Sequence, residues 1–401
     1  MKMPTRQLLA AAAGVLLLSA SACGSSGGGS GSASTAGRTP PKVAEAKSLG
    51  QGEGKLNLIV WAGYAEDGSN DKTVDWVHPF EKQTGCQVNA KVAGTSDEMV
   101  QLMRSGQYDG VSASGDATLR LIYGGNVAPV NTNLVPNYKT IADFLKDRPW
   151  NSVKGQMYGV PHGWGANVLM WNKSQVKTAP TSWGDVFAKD SPYKGKLTAY
   201  DSPIYIADAA LYLMKSQPSL GIKDPYSLTA KQLDAAVSLL KTQNANVGEY
   251  WSDYTKEVQA FESGTSVMGT AWQVIANLIT ADKKVQVGTV VPDEGATGWS
   301  DTWMISSKAA HPNCMYQWMN WITSPAVNAQ VAEWFGEAPA QTLACQHTTD
   351  KSFCTTYHAT DAAYAAKIHY WTTPQKQCVD GKGTDCTDYS EWVTKWQQMK
   401  G

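Results

Sequence analysis

The sequence has almost no excess of charge of either sign. Its 401 residues contain 34 Lys and Arg against 35 Asp and Glu, a net charge of −1. Residues 1–22 carry two of the basic groups, and without them the count is 32 against 35. This balance excludes a nucleic-acid binder that works through a basic surface. It also offers no broad positive face to an anionic membrane.

Phenylalanine is scarce among the aromatic residues. The chain has 6 Phe but 16 Trp and 17 Tyr. A plain core would use Phe, whereas Trp and Tyr join an apolar ring to a polar tip and suit cavity walls. Hydrophobic residues make up 42% of the chain, which is enough for a sizeable core. The length predicts two or three domains.

The apolar stretch at the N-terminus is too short to span a membrane. Residues 8–22 are apolar or small and follow Lys2 and Arg6, whereas a spanning helix needs about 20 apolar residues. We therefore predict an export signal at 1–22. Cys23 follows small residues, as in a bacterial lipoprotein whose cysteine is acylated, although Ala20 stands where that pattern prefers Leu. Ordinary secretion is the alternative.

The segment 23–54 predicts a tether. It is rich in Gly and Ser and cannot bury a core. With Cys23 acylated, the tether would hold the protein on the outer face of the cytoplasmic membrane, with the lipid as its only membrane contact.

Six further cysteines are disulfide candidates: Cys86, Cys314, Cys345, Cys354, Cys378 and Cys386. An even number in an exported protein predicts disulfide bonds. Cys345 is close to Cys354 in the sequence, and Cys378 is close to Cys386. That leaves Cys86 for Cys314 as the favoured arrangement among the fifteen that six cysteines allow.

Motifs of common cofactor and metal enzymes are absent. We find no P-loop, no H-E-x-x-H and no dinucleotide-binding G-x-G-x-x-G in a strand–turn–helix context. A zinc site of Cys345, His347, Cys354 and His358 is the alternative to one disulfide, but oxidising export disfavours free thiolates. We expect no cofactor and no metal. His162 is a weaker candidate for a role near a hinge.

The order of predicted elements indicates an α/β fold. A short apolar run at 55–61 predicts a buried strand, and 74–84 has helical spacing. A strand at 86–92 and a helix at 97–104 follow, and we expect Ser96 to cap that helix. This alternation favours a largely parallel sheet.

The residues from about 55 to 401 resemble the extracellular solute-binding proteins of ABC importers, in the spermidine/putrescine-binding branch. The motifs that carry the resemblance are Trp61-Ala62-Gly63-Tyr64, Gly106-Gln107-Tyr108-Asp109-Gly110-Val111 before Ser114, Tyr158-Gly159-Val160-Pro161, Gly269-Thr270-Ala271-Trp272 and Gly298-Trp299-Ser300-Asp301. Each motif is weak alone, but their order over most of the chain is specific.

The resemblance implies a type II periplasmic-binding-protein fold of two α/β lobes joined by crossover strands, with the ligand in the cleft. We expect lobe one at 55–162 and 300–401, with the tail from Leu343 returning over it, and lobe two at 163–299. It also implies a monomer that delivers a small cation, most simply a polyamine, to an ABC permease and performs no covalent chemistry.

A polyamine needs carboxylates for its ammonium groups and aromatic faces along its methylenes. The expected ligand-binding residues are Trp61, Tyr64, Ser114, Asp116, Asp201, Ser252, Trp272, Trp299 and Asp301. Two of them, Trp61 and Tyr64, come directly after the first strand, at the end where open α/β sheets bind ligands.

Two departures from the family pattern leave the solute open. Gly63 stands where polyamine binders often have an acidic residue. Asp116 either replaces an aromatic of the site or caps the next helix. A quaternary amine, an amino acid or a sugar is an alternative solute. A secreted glycoside hydrolase is the alternative from another class, since Trp-rich clefts with acid pairs also serve glycosidases.

Overall fold

A computed structural model describes residues 39–378 and 385–401. The predicted signal at 1–22, Cys23 and the first part of the tether lie outside the described residues. Among the described residues, no helix is both long enough and apolar enough to cross a membrane.

Strands and helices alternate along most of the described chain. The strands are β1 Lys55–Val60, β2 Gln87–Val92, β3 Gly110–Ala113, β4 Ser152–Val153, β5 Gln156–Met157, β6 Val160–Ala166, β7 Val168–Asn172, β8 Leu197–Tyr200, β9 Val247–Trp251, β10 Met268–Ala271, β11 Val287–Val290, β12 Ala296–Ile305, β13 Ala338–Pro339 and β14 Ile368–Tyr370. The helices are α1 Val77–Thr84, α2 Ser96–Arg104, α3 Gly115–Tyr123, α4 Gly184–Phe187, α5 Ile206–Ser216, α6 Ala230–Asn244, α7 Tyr254–Ser263, α8 Gln273–Asp282, α9 Pro312–Ile322, α10 Pro325–Phe335, α11 Phe353–Thr356, α12 Ala362–Ala365 and α13 Tyr389–Lys400.

The first lobe is built on a sheet of seven strands. Its order is β13-β6-β12-β3-β1-β2, and β14 adds to β12. Strand β1 runs parallel to both β2 and β3. The side chains of Leu56, Leu58 and Val60 are buried, as expected for a parallel strand covered by helices. The carboxyl ends of β1 and β3 therefore meet at one edge of the lobe.

The second lobe is built on a sheet of five strands in the order β11-β7-β10-β8-β9. Strand β8 is parallel to both β10 and β9. These three neighbouring strands consequently present their carboxyl ends on the same side. The expectation of two α/β lobes of the binding-protein type is confirmed.

The lobes are joined at Asn167, between β6 and β7, and at the start of β12. The amide of Asn167 donates a 2.7 Å hydrogen bond to Thr297 Oγ1, and that hydroxyl donates one of 2.9 Å to Asp208 Oδ1. All three side chains are buried. Burial raises the pKa of Asp208 to about 7. This network ties both crossover strands to α5 of the second lobe.

Helix α2 begins one residue before the predicted position. Thr95, and not Ser96, is the cap, because its hydroxyl accepts the hydrogen bond from the Glu98 amide at 3.1 Å. Ser96 lies inside the helix and donates a 2.9 Å hydrogen bond to Asp116 Oδ1. The hydroxyl predicted to cap the helix therefore joins it to α3 instead.

The cysteines pair as the sequence favours. Disulfide bonds join Cys86 to Cys314, Cys345 to Cys354, and Cys378 to Cys386. The zinc alternative is wrong, because two of its four ligands are bonded to each other. Across the described residues, no group of three or more His, Cys, Asp or Glu could hold a metal ion.

The terminal helix differs from the expectation for the tail. Although β14 adds to the first sheet, α13 packs on α6 of the second lobe. Lys395 pairs with Asp234 at 2.6 Å, and the ring of Trp396 lies edge-on to Tyr205. At its first residue, the ring of Tyr389 lies 4.3 Å from the guanidinium of Arg120 on α3. Helix α13 thus bridges the lobes.

Candidate functional site

Strand β12 supplies the central carboxylate of the candidate site. Residues alternate faces along a strand, so Trp299 and Asp301 share one face. Strand β14 pairs with β12 up to Gly298, and β3 pairs with it from Thr302 onward. Within the described residues, the stretch between them therefore has no strand on that side. Ser114, directly after β3, fills part of the gap and donates a 2.5 Å hydrogen bond to Asp301 Oδ1.

A buried tyrosine joins two carboxyl groups. The hydroxyl of Tyr64 lies 2.8 Å from Asp301 Oδ2 and 2.7 Å from Glu337 Oε2. Burial raises the pKa of Asp301 to about 7, although hydrogen bonds from Ser114 and Tyr64 oppose the shift. Burial also raises the pKa of Glu337 well above its usual range. A cation beside Asp301 would favour its ionised form and so offset the effect of burial.

The turn before Tyr64 explains one departure from the family pattern. Gly63 has φ of +97°, a conformation that suits glycine. A side chain there would also meet Phe335, since its Cβ would lie 3.1 Å from a ring carbon. The ring of Phe335 packs on Tyr64 with centroids 4.6 Å apart. The space of the usual acidic side chain is therefore taken by an aromatic that holds Tyr64.

Three neighbouring strands of the second lobe end in aromatic residues. Tyr200 ends β8, Trp251 ends β9, and Trp272 follows β10. The centroid of Trp272 lies 4.9 Å from that of Trp251 and 5.4 Å from that of Tyr200. Trp61 of the first lobe meets Trp272 edge-on at 6.3 Å. Trp371 of the tail stacks on Tyr200 at 5.7 Å, with 10° between the planes.

We call these five residues, Trp61, Tyr200, Trp251, Trp272 and Trp371, the aromatic cluster. All five are at least nine-tenths buried. The indole N–H groups of Trp61, Trp251 and Trp371 have no acceptor in the described part of the chain. Burial and then the charges of Asp116 and Asp301 raise the pKa of Tyr200. The cluster therefore lies close enough to Asp116 and Asp301 to be affected by their charges, and we take the region between them as the candidate ligand space.

Asp116 lies at the edge of this space. Its carboxyl group is buried and accepts the hydrogen bond from Ser96. Burial raises its pKa to about 6, and the positive charge of Arg120 opposes the shift. The neighbouring Gly115 leaves room for the backbone of Trp371, which its Cβ would otherwise strike. The Asp116 side chain does not cap α3, and the charge of Arg120 offsets only part of the effect of burial. When ionised, Asp116 therefore adds negative charge beside the aromatic cluster.

The structure brings most of the predicted residues together. Tyr64 and Ser114 hydrogen-bond to Asp301, and Trp61 meets Trp272 edge-on. Trp299 lies at the edge of the group, 5.9 Å from Phe335 and against Gly165.

Two predicted residues lie outside the group. Asp201 forms an ion pair with Lys400 at 2.8 Å, on a partly exposed surface. Ser252 lies in a half-buried turn after β9, and the residue before it, Trp251, contacts the cluster instead.

Sequence reasoning missed four residues of the site: Tyr200, Trp251, Glu337 and Trp371. A signal existed for three of them, because each is an aromatic at or just after the carboxyl end of a strand, where Trp61 was found. Glu337 gave no local signal.

A second cleft of about 410 Å³ is lined in part by the tail segment around Tyr370 and Thr372. Trp150 and Tyr370 stack there with ring centroids 4.8 Å apart, and Asp224 and His369 also line it.

The family comparison gives a match over most of the chain. Residues 75–378 match the family described as bacterial extracellular solute-binding protein. The spermidine/putrescine-binding periplasmic protein of Escherichia coli K12 is 25% identical over 295 residues, covering 71% of this chain and 81% of its own. The putrescine-binding periplasmic protein SpuD of Pseudomonas aeruginosa UCBPP-PA14 is also 25% identical, over 294 residues, covering 69% of this chain and 76% of its own.

A solved structure shares the fold. The spermidine/putrescine ABC transporter substrate-binding protein PotD of Streptococcus pneumoniae superposes with a TM-score of 0.66 and 17% identity. The match covers 88% of this chain and 100% of that one. These relatives are transport binding proteins.

Proposed function

Because the chain belongs to the bacterial extracellular solute-binding proteins, we propose that it captures a small organic cation between its lobes and delivers it to an ABC permease. The cation is a polyamine such as putrescine or spermidine. The observation that carries this proposal is the buried Asp301, held by Tyr64 and Ser114 opposite the aromatic cluster. The relatives named for polyamines support the same solute.

The chemistry of the space fits an alkylammonium ion. A cation over an aromatic face contributes about 0.5–2 kcal/mol, and a hydrogen bond to a charged group about 1.5–3 kcal/mol. Two of each bring the gross energy to the scale of micromolar binding, about 8 kcal/mol. Asp301 offers remaining acceptor positions to an ammonium group, and Asp116 supplies a second negative charge. Trp61 and Trp272 would cover the methylenes.

The proposal includes a place in the cell. Acylation of Cys23 would hold a monomer on the outer face of the cytoplasmic membrane, with the residues up to about 54 as the tether. No covalent chemistry is assigned to the site. Of the two acids joined by Tyr64, Asp301 would balance the charge of the ligand.

Calorimetry of the purified protein tests this function. The titrants are putrescine, spermidine, choline, an amino acid and maltose. We expect saturable binding of a polyamine, with no binding of maltose. If only choline, the amino acid or maltose binds, the solute assignment is wrong. Turnover of a glycan added to the protein would instead support a hydrolase.

A further inference from the structure

We infer that Glu337 keeps its proton and donates it in a hydrogen bond to Tyr64, and thereby positions the Tyr64 hydroxyl on Asp301. Glu337 is then a positioning residue that acts through Tyr64. This inference rests on the proposed function, because Asp301 is the carboxylate assigned there to the ligand cation.

The first argument is a count of hydrogens. A phenol hydroxyl has one hydrogen, yet the Tyr64 oxygen lies within 2.8 Å of one oxygen from each acid. If both acids were ionised, one of these contacts would bring two lone pairs together in a buried place. Both contacts are hydrogen bonds only if one acid is itself a donor.

The second argument decides which acid holds the proton. Asp301 accepts from Ser114 on one oxygen and can accept from Tyr64 on the other. Glu337 Oε1 has no hydrogen-bond partner in the described part of the chain. An anion at Asp301 therefore has two donors, whereas an anion at Glu337 has one at most. Hydrogen bonds to the charged form favour ionisation, so the proton belongs on Glu337.

The groups around Glu337 do not offset a negative charge there. His162 Nδ1 lies 3.8 Å from Glu337 Oε1, but burial lowers the pKa of His162 to about 3, so the ring is neutral. Its Nε2 lies 2.8 Å from the Ser112 hydroxyl. From the other sides, Asp301 adds negative charge and Tyr357 is neutral. In the described residues, no Lys or Arg forms an ion pair with Glu337.

Packing holds the carboxyl group in this place. Glu337 is 1% exposed. Its carboxyl group lies against Gly163, where a Cβ would strike it. The backbone of β6 thus packs against the carboxyl group without supplying a charge. Among the described residues, Tyr64 is the side chain within hydrogen-bond distance of Glu337.

The resulting chain of donors runs from Glu337 to Tyr64 to Asp301. It keeps one hydrogen bond on Asp301 while leaving that carboxylate as the negative end of the chain. At pH 7 only a fraction of Asp301 is protonated, because its pKa is about 7, and a cation arriving there displaces that fraction of a proton. Glu337 keeps its own proton in both states.

Two substitutions separate this role from a charged one. Glu337→Gln keeps a donor to Tyr64 and cannot ionise, whereas Glu337→Met keeps the length and has no donor. The exposed Glu45→Gln is the control. Putrescine is titrated calorimetrically at pH 7 in buffers of different ionisation enthalpy, which gives both Kd and the protons released per ligand.

We expect the wild type and Glu337→Gln to release the same number of protons and to agree in Kd within about threefold. Glu337→Met should bind about tenfold more weakly, since it loses one hydrogen bond in a charged network. Fewer protons released by Glu337→Gln, or a tenfold change in its Kd, would overturn the inference. So would wild-type affinity in Glu337→Met.

An infrared comparison tests the same proton without any ligand. At pH 8, the wild type minus Glu337→Gln difference spectrum should contain the C=O stretch of a protonated carboxyl group. Only carboxylate bands in that difference would overturn the inference. Failure of the wild type to bind any amine would instead refute the proposed function, and the infrared result would still decide the state of Glu337. Near-ultraviolet circular dichroism confirms that each variant is folded.

Discussion

Replacement of Asp301 by Asn should weaken amine binding and raise the free energy of unfolding of the ligand-free protein. The carboxyl group is 3% exposed and holds hydrogen bonds from Tyr64 and Ser114. An amide keeps the shape of the group but loses the negative charge that faces the ammonium ion. A hydrogen bond to a charged group contributes about 1.5–3 kcal/mol. We therefore expect Kd for putrescine to rise about 10- to 150-fold at pH 8.

The effect on stability has the opposite sign. The pKa of Asp301 is raised from 3.8 to about 7 in the folded protein. The stabilisation from the neutral acid is therefore complete below pH 4 and is lost as the pH rises through 7. At pH 8 this loss is about 4 kcal/mol at most, and opening of the lobes would reduce it. Asn cannot ionise, so the variant does not lose stability in this way as the pH rises.

Titration calorimetry and denaturant unfolding at pH 5 and pH 8 measure both effects. Asp143→Asn is the matched control, because the Asp143 side chain is 99% exposed. Without ligand, Asp301→Asn should unfold with a larger free energy than the wild type at pH 8, and this excess should be less than half as large at pH 5. Wild-type affinity at pH 8, or a less stable variant there, would refute the reasoning.

Three further predictions concern the aromatic cluster, the disulfide bonds and closure of the lobes. Trp371→Leu should weaken putrescine binding about 2- to 30-fold in calorimetry, by loss of a cation–π face, while Trp321→Leu should not; equal effects would contradict a ligand role. Replacing Cys86 and Cys314 by Ala should lower the free energy of unfolding by about 2–5 kcal/mol, because their bond spans 228 residues; an unchanged denaturation midpoint would contradict this. Arg120→Met removes the cation over the ring of Tyr389, the first residue of α13. This contact joins α13 to the first lobe, so its loss should make the dissociation of putrescine, measured by stopped flow, about 2- to 30-fold faster. An unchanged rate would show that α13 does not hold the lobes closed.

The sequence was enough to predict the site residues that lie on a strand or directly after one. Trp61 follows a buried strand, and such strands present their next residues at the ligand edge of an open sheet. Trp299 and Asp301 are two residues apart on β12 and so share a face. These arguments use only the two-residue alternation of side chains along a strand and the position at which the strand ends.

The misses in the second lobe are errors of one residue. Asp201 and Ser252 directly follow two strands of the structure, but the preceding residues, Tyr200 and Trp251, are the ones that reach the cluster. They are direct neighbours across β8 and β9, with centroids 5.0 Å apart. Successive side chains alternate faces, so a shift of one residue turns the chosen side chain away. The sequence alone did not show which of the two successive residues faces the cluster.

Two residues of the site come from the distant C-terminal part. Glu337 is 273 residues from Tyr64, and it reaches the tyrosine because β13, which directly follows it, pairs with β6 at the edge of the first sheet. Trp371 enters through the parallel pairing of β14 with β12. Glu337 gave no signal in periodicity or spacing, and although Trp371 directly follows a strand, tertiary packing of the tail decides that β14 pairs with β12.

A crystal structure of the protein grown with putrescine tests the central claim most directly. We predict the diamine between the lobes, in contact with the aromatic cluster, with one ammonium group within hydrogen-bond distance of Asp301. Putrescine in the second cleft beside Trp150 and Tyr370, with the space at Asp301 free of it, would contradict the account.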